Sequence, residues 1–163
     1  MPFSVCFVCT GNICRSPMAE SVFRARVDDA GLHGLVVVDS AGTGDWHEGD
    51  GADARTVDVL RANGYASGHV ARQFRPSWFS RLDLVIALDR GHLRELRRLA
   101  PTAADTAKIR LLRSYDPAAG DDLDVPDPYY GGTDGFEECL GMVEAASEGL
   151  LAAVREAVEE AAV

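Results

Sequence analysis

The chain contains 163 residues, enough for one ordinary domain with a hydrophobic core but few for two, so we expect a single domain spanning residues 1–163. Hydrophobic residues make up 47% of the sequence and charged residues 26%, which argues against a disordered chain. No stretch is apolar enough for a membrane span, which argues against a membrane partner. The formal net charge is −10 and no basic stripe offsets it, so the composition also disfavours a nucleic-acid partner.

The first predicted elements are a strand, a tight loop and a helix. Residues 4–8 form a short apolar run, which predicts a buried strand, and residues 9–12 carry the loop. Pro17 suits the first position of a helix, where its missing N–H costs nothing, and Gly31 ends the helical spacing of apolar residues. The chain therefore opens with a strand that runs through a loop into a helix.

Two further pairs of strand and helix follow. Residues 35–38 predict the second strand and residues 53–63 the second helix, which Gly64 closes. Residues 82–88 predict a third strand, and residues 91–99 are again helical. Each predicted strand is thus followed by a helix, as in chains that build parallel sheets.

The last part of the chain completes the alternation. Residues 109–112 predict a fourth strand, a loop rich in Asp and Pro extends to Gly132, and a helix with an apolar stripe follows. Strands apolar on both faces predict one doubly wound α/β domain, a four-stranded parallel sheet in the order 2-1-3-4 with helices on both faces. Ligands of such sheets bind beyond the carboxyl ends of strands 1 and 3, which places Cys9 and Asp89 at one crevice.

The first strand-to-helix junction carries the most informative pattern. Five residues separate Cys9 from Arg15, and the hydroxyl residue Ser16 follows Arg15. The five are Thr10, Gly11, Asn12, Ile13 and Cys14. A loop of this length can wrap a tetrahedral oxyanion in backbone N–H groups, and Arg15 can place two parallel N–H bonds on it. The same donors favour a thiolate at Cys9, to which Ser16 can donate a hydrogen bond. A helix cap beside a packed cysteine is the alternative, but the coincidence of strand, glycine, arginine and proline favours a phosphate-binding loop.

A resemblance to a known family rests first on residues 8–17, which read Val-Cys-Thr-Gly-Asn-Ile-Cys-Arg-Ser-Pro. They resemble the signature of the low-molecular-weight protein tyrosine phosphatases of bacterial type. The resemblance covers nearly the whole chain and includes residues 40–43, 45–46, 68–73, 89 and 127–131. It implies a hydrolase that is a metal-independent protein tyrosine phosphatase, needs no cofactor and forms a phosphocysteine intermediate at Cys9. The implied partners are phosphotyrosine-containing proteins and phosphate or other oxyanions, with the chain as a monomer or weak dimer.

The same resemblance assigns roles that spacing alone leaves open. Breaking a phosphate ester requires a proton for the departing oxygen, and the acidic loop offers several donors, Asp116, Asp121, Asp122, Asp124 and Asp127. Asp127 matches the family's general acid, which afterwards acts as a base toward water. Tyr129 and Tyr130 match aromatic residues of the substrate cleft. Trp46 lies in a polar loop, which favours an exposed wall for an aromatic substrate over a core position.

Two further residues correspond to positions that support the loop in this family. Alone, His69 is more typical of a surface or core histidine, and Asp89 of a helix cap. The resemblance implies that both stabilise the loop through hydrogen bonds with Ser16 and its neighbours.

The four cysteines are Cys6, Cys9, Cys14 and Cys139, and three of them crowd the N-terminus. Because that pattern is a poor way to crosslink a fold, we expect free thiols in a reducing compartment. Residues 1–6 lack the features of a secretory signal, which predicts a cytoplasmic protein and leaves open export without a recognisable signal. In the resembling family a Cys9–Cys14 disulfide protects the nucleophile from irreversible oxidation, and simple packing of Cys14 is an equal alternative. Cys6 and Cys139 are expected to pack in the core.

Other functions compete with this one. Arsenate reductases of the same fold pass oxidation to further cysteines, and none lies between Cys14 and Cys139. Phosphoarginine phosphatases carry threonine where Ile13 stands. Cys6 and Cys9 have the spacing of a thioredoxin-like site or half a zinc site, but Cys6 falls within the predicted strand and no His/Cys pair completes a metal shell. A catalytically silent phosphotyrosine-binding module would be expected to lack Cys9 or the acid.

Overall fold

The computed structural model describes residues 2–162. Within that range the sheet consists of β1 Phe3–Cys9, β2 Val36–Gly42, β3 Leu84–Ala87 and β4 Ile109–Leu111. The α-helices are α1 Arg15–Asp29, α2 Ala54–Ala62, α3 Arg90–Leu99, α4 Ala103–Thr106 and α5 Thr133–Ala161, and 3-10 helices span Pro76–Ser80 and Leu112–Tyr115. Among the described residues no helix is both long and apolar enough to cross a bilayer.

All strands are parallel and lie in the order β2-β1-β3-β4, which confirms the predicted topology. Successive residues of β1 face opposite sides of the sheet. Phe7 packs edge-on against Phe23 of α1, with ring centroids 5.6 Å apart, in the core that α5 also covers. Cys6 and Val8 pack on the other side, with Leu96 of α3. Burial on both faces explains why the strands are nearly continuous apolar runs.

Some element boundaries differ from the prediction. Helix α1 begins at Arg15, so Pro17 occupies its third position rather than its first. Its missing N–H is harmless there too, because the first four N–H groups of a helix have no partner within it. Strand β2 runs beyond its predicted end because Gly42 still pairs with Cys9 of β1. Strand β3 is shorter than residues 82–88, and the patterns do not predict α4 or the 3-10 helices, each of which spans only four or five residues.

The topology brings three helix starts to one edge of the sheet. Strand β1 ends at Cys9 and runs through a loop into α1, while Asp89 follows β3 and N-caps α3. The third start is that of α2, capped by Asp53, whose backbone N–H donates to Ile13 O at 2.8 Å. The candidate site lies at this edge, where backbone N–H groups and helix dipoles favour a bound anion.

Candidate active site

Cys9 begins the loop of residues 9–15 that joins β1 to α1, called the phosphate loop below. The residue is only 3% exposed, and its Sγ atom lies 2.9 Å from Ser16 Oγ. Ser16 Oγ accepts a hydrogen bond of 2.8 Å from Asn12 Nδ2, and its own hydrogen can point either toward the sulfur or toward Ala41 O at 3.4 Å. The loop thus holds a hydroxyl donor against the candidate nucleophile.

Asn12 is the loop residue with left-handed backbone, at φ 56°. Hydrogen bonds to four residues hold it there. Its side-chain amide donates to Ser40 Oγ at 2.9 Å as well as to Ser16, and its side-chain oxygen accepts from Arg72 N at 3.0 Å. Its backbone carbonyl lies 2.7 Å from His69 Nε2, which must therefore carry the proton. His69, expected to support the loop, does so at Asn12, and Ser40 was not identified from the sequence.

Gly42, at the end of β2, lies directly against the phosphate loop. A Cβ atom here would stand 2.6 Å from Thr10 O and 3.2 Å from Asn12 N, both backbone atoms that cannot easily move aside. We therefore expect Gly42→Ala to displace the loop and to weaken binding of inorganic phosphate by at least about 10-fold, measured by calorimetric titration. Gly141→Ala on α5 is the matched control, since a Cβ there meets nothing within 4 Å. It should leave phosphate affinity unchanged, and an equally unchanged affinity in Gly42→Ala would contradict the prediction.

Arg15 is held from several directions at the start of α1. Its Nη1 donates to Asp89 Oδ2 at 2.8 Å and to Val125 O at 2.9 Å. Its Nη2 lies 3.4 Å from His92 Nε2 and 3.7 Å from Asp127 Oδ2. Burial alone would lower the pKa of this guanidinium, but the negative groups around it raise the pKa instead. Bonds within the protein thus orient the cation, and Asp89 is bound to Arg15 itself.

His92 is a site residue that the sequence analysis did not identify. It is buried in the first turn of α3, where its backbone N–H donates to Asp89 Oδ1 at 2.9 Å. Its Nε2 lies 2.9 Å from Thr10 Oγ1 and also faces Arg15 Nη2. Because a guanidinium can only donate hydrogen bonds, Nε2 must be the acceptor in the contact with Arg15. The ring proton is then on Nδ1, which faces Asp89 Oδ1 at 3.2 Å without hydrogen-bond geometry. The sequence offered one clue to His92, which is that it lies three residues after Asp89, the aspartate that caps α3.

Burial, and after it the charge of Arg15, lowers the pKa of His92 to about 4. An unfolded histidine titrates near pH 6.5, so between these values the unfolded chain binds more protons and stability falls as the pH falls. Between about pH 7.5 and pH 5 we expect the parent to lose about 2 kcal/mol more of its free energy of unfolding than His92→Gln. Urea unfolding at both pH values measures the difference. His33→Gln, at a histidine 88% exposed, should behave like the parent, and equal losses in His92→Gln would show that His92 is not held neutral.

A cleft of about 380 Å³ opens above the phosphate loop. It is lined by Cys9, Thr10, Gly11, Ile13, Cys14, Arg15, Trp46, His47, Asp127, Tyr129 and Tyr130. Trp46 and Tyr130 are 73% and 89% exposed, so the walls extend into solvent. The structure therefore brings the predicted nucleophile, arginine, acid and aromatic residues together, while Asn12 and Ser16 lie buried beneath them.

Asp127 lies at the rim of this cleft, with a side chain 41% exposed. Its Oδ1 accepts a hydrogen bond of 3.0 Å from Tyr129 N, and its Oδ2 is the oxygen that faces Arg15. The other acids that spacing left open, Asp116, Asp121, Asp122 and Asp124, do not line the cleft. The structure thus singles out one acid near the candidate phosphate position.

Cys6 and Cys9 lie on one strand, three residues apart, and face opposite sides of the sheet. They therefore cannot act as a pair in a redox or zinc site. Cys6 and Cys139 both pack in the hydrophobic core, as expected. Within residues 2–162 no group of three or more His, Cys, Asp or Glu side chains is arranged to hold a metal ion.

Cys14 is a buried free thiol within the phosphate loop, and burial together with the charge of Asp53 raises its pKa to about 12. We predict that, once peroxide has oxidised Cys9 to a sulfenic acid, attack by the Cys14 sulfur would form a disulfide and release water. We expect a thiol to restore most of the activity of the peroxide-treated parent but almost none in Cys14→Ala, as measured by activity before and after reduction. Cys139→Ala should recover like the parent. Full recovery in Cys14→Ala would show that no such disulfide forms.

A family profile described as low molecular weight phosphotyrosine protein phosphatase matches residues 4–160. The chain belongs to this family. Within the low molecular weight phosphatases, it is 78% identical over 160 residues to the low molecular weight protein-tyrosine-phosphatase of Streptomyces coelicolor, covering 98% of both chains. It is 50% identical over 150 residues to the low molecular weight protein-tyrosine phosphatase A of Mycobacterium tuberculosis, covering 91% of this chain and 90% of that one.

The fold comparison leads to the same family. A protein tyrosine phosphatase from Entamoeba histolytica, solved with Hepes in its active site, superimposes with a TM-score of 0.91 at 35% identity. The match covers 95% of this chain and 98% of that one. Membership of the low molecular weight phosphatases confirms the resemblance that residues 8–17 indicated.

Proposed function

We propose that this chain hydrolyses phosphotyrosine in proteins through a phosphocysteine intermediate at Cys9. The observation that carries the proposal is the placement of a buried thiol and a buried, oriented guanidinium at the floor of a cleft with aromatic walls. The thiol supplies a nucleophile, the guanidinium supplies paired donors for a phosphoryl group, and the walls suit an aromatic leaving group. The names of the relatives support this substrate class.

In the first step, the Cys9 thiolate attacks phosphorus and forms an S–P bond. Arg15 and the N–H groups of the phosphate loop stabilise the charge on the non-bridging oxygens, as an oxyanion hole does. The bond from phosphorus to the phenolic oxygen breaks, and that oxygen keeps the electron pair. Asp127 gives it a proton, which matters because a tyrosine oxygen with a pKa near ~10 is a poor leaving group.

In the second step, Asp127, now ionised, accepts a proton from water while the water oxygen attacks phosphorus. The S–P bond breaks, its electron pair returns to Cys9 and phosphate is released. Asp127 has then regained its proton, so the cycle closes without a net change in the enzyme. Neither step needs a cofactor or a metal ion.

Two observations favour this function over its nearest rivals. Cys6 and Cys139 are buried in the core and offer no relay for the oxidation that arsenate reduction produces. Ile13 lines the cleft and presents an apolar side chain, which suits a phenyl ring better than a charged guanidinium. We also propose that the chain acts in the cytoplasm, because its four free thiols suit a reducing compartment.

The test measures phosphate release from three peptides of one sequence that carry phosphotyrosine, phosphoarginine or phosphoserine at the same position. EDTA and a thiol are present throughout. We expect kcat/KM for phosphotyrosine to exceed the other values by at least about 100-fold. A preference for phosphoarginine would assign the rival activity, and activity that disappears with EDTA would overturn the proposed mechanism.

A further inference from the structure

We propose that Arg55 is a positioning residue that holds the acid segment, residues 127–130, against the phosphate loop so that Asp127 can reach the leaving oxygen. This inference rests on the proposed function. Arg55 lies outside the cleft lining and in the first turn of α2, where it would ordinarily be taken for a surface arginine beside a helix cap. Its side chain contacts the acid segment on one side and Asp53, which supports the phosphate loop, on the other.

On one side, Arg55 contacts the acid segment. Its Nη1 donates to Tyr129 O at 3.0 Å, and its guanidinium carbon lies 5.2 Å from the centroid of the Tyr129 ring. The same carbon lies 4.6 Å from the ring centroid of Phe136 on α5, which is fully buried. The guanidinium therefore contacts both the acid segment and the core-facing side of α5.

On the other side, Arg55 is bound to the element that supports the phosphate loop. Its Nε and Nη2 donate to the two carboxylate oxygens of Asp53, each at 3.0 Å. Asp53 in turn donates its backbone N–H to Ile13 O at 2.8 Å. The side-chain hydrogen bonds from Arg55 are the main cause of the lowered pKa of Asp53, so the pair stays ionised.

Few hydrogen bonds hold the acid segment, although Pro128 is buried and Asp127 Oδ2 lies 3.7 Å from Arg15 Nη2. Tyr129 N donates to the Asp127 carboxylate, and Gly131 N donates to Pro128 O, but both bonds are local. Among the described residues, the bond from Arg55 is the hydrogen bond that joins this segment to another element. Tyr129 is thus held at its carbonyl by Arg55 and at its amide by Asp127, so a shift at Arg55 is transmitted to the acid.

The geometry requires an arginine specifically. Three guanidinium nitrogens serve two partners that lie in different directions, which a single ammonium group on a lysine cannot match. Arg55→Lys therefore keeps the charge and most of the stem while losing the link to Tyr129. The substitution therefore tests the position of the acid segment rather than the net charge of the site.

The experiment compares kcat/KM for phenyl phosphate and 4-nitrophenyl phosphate, because kcat/KM reports the step in which Cys9 is phosphorylated. Proton donation matters for phenol, a poor leaving group, and much less for 4-nitrophenol. We expect Arg55→Lys to lower kcat/KM by about 10-fold for phenyl phosphate and by less than about 2-fold for 4-nitrophenyl phosphate. Arg61→Lys, on the same helix and with a side chain that donates to Ser67 Oγ away from the acid segment, should change neither value.

A double variant separates this role from a general loosening of the site. If Arg55 acts through the acid, Arg55→Lys should cause no further loss with phenyl phosphate in an Asp127→Asn background. Equal losses with both aryl phosphates, or an additive loss in the double variant, would overturn the inference while leaving the proposed function intact. A parent chain that hydrolyses neither ester would instead overturn the proposed function and, with it, the inference.

Discussion

Replacing Cys9 with serine should lower kcat for a phosphotyrosyl peptide by at least about 10³-fold. A serine hydroxyl is not ionised at neutral pH, so the variant lacks the nucleophile that forms the S–P bond. The donors of the phosphate loop and Arg15 remain, and Arg15 keeps its hydrogen bonds to Asp89 and Val125. We therefore expect affinity for inorganic phosphate to change by no more than a few-fold, which separates binding from chemistry.

The control for this variant is Cys6→Ala, which removes a thiol from the opposite face of the same strand. It should lower thermal stability because it leaves a small cavity, yet retain kcat within about 3-fold. A rapid-quench experiment on the parent should trap one phosphoryl group per chain in acid, and Cys9→Ser should trap none. Comparable turnover by the parent and Cys9→Ser would exclude the phosphocysteine mechanism.

Asp127→Asn should lower kcat/KM for phenyl phosphate by about 10²- to 10⁴-fold, the range for the loss of a general acid. Asparagine keeps the shape of the side chain and an oxygen that can accept from Tyr129 N, but it has no carboxylic proton to give. The loss should be much smaller for 4-nitrophenyl phosphate, whose leaving group departs without assistance. Steady-state kinetics with the two esters measures the contrast.

Asp121→Asn provides the comparison within the same acidic loop. Its side chain is exposed and does not line the cleft, so both esters should be hydrolysed as by the parent. If Asp121→Asn showed the leaving-group contrast and Asp127→Asn did not, the general acid would have to be reassigned.

The alternation of strands and helices and the phosphate loop could be predicted because local patterns carry them, and the doubly wound topology then supplied the strand order. The apolar run at residues 4–8 and the spacing of Cys9 and Arg15 each involve neighbours in sequence. The end of β2 could not be predicted in this way. Asp39 and Ser40 interrupt its apolar pattern, yet Asp39 pairs with Arg72 at 2.8 Å and Ser40 is buried against Asn12.

The supporting residues were missed for a related reason, since their partners lie far along the chain. His92 meets Thr10 across 82 positions, and Arg55 meets Tyr129 across 74. The spacing of the aspartates in the acidic loop also could not identify the general acid. Which aspartate lines the cleft depends on how that loop is anchored to the rest of the fold. Val125 N donates to Leu88 O and its carbonyl accepts from Arg15, which brings the following residues to the rim.

The bonds around Asn12 divide the site into a hydrogen-bonded floor and an exposed rim. Ser40, His69 and Arg72 fix the shape of the floor through hydrogen bonds within the protein, so these bonds orient the donors that a phosphoryl group would meet. Trp46 and Tyr130 project into solvent and contribute little to the packing of the core. We therefore expect substitutions of Trp46 to change how the proposed substrate docks while leaving the floor unchanged.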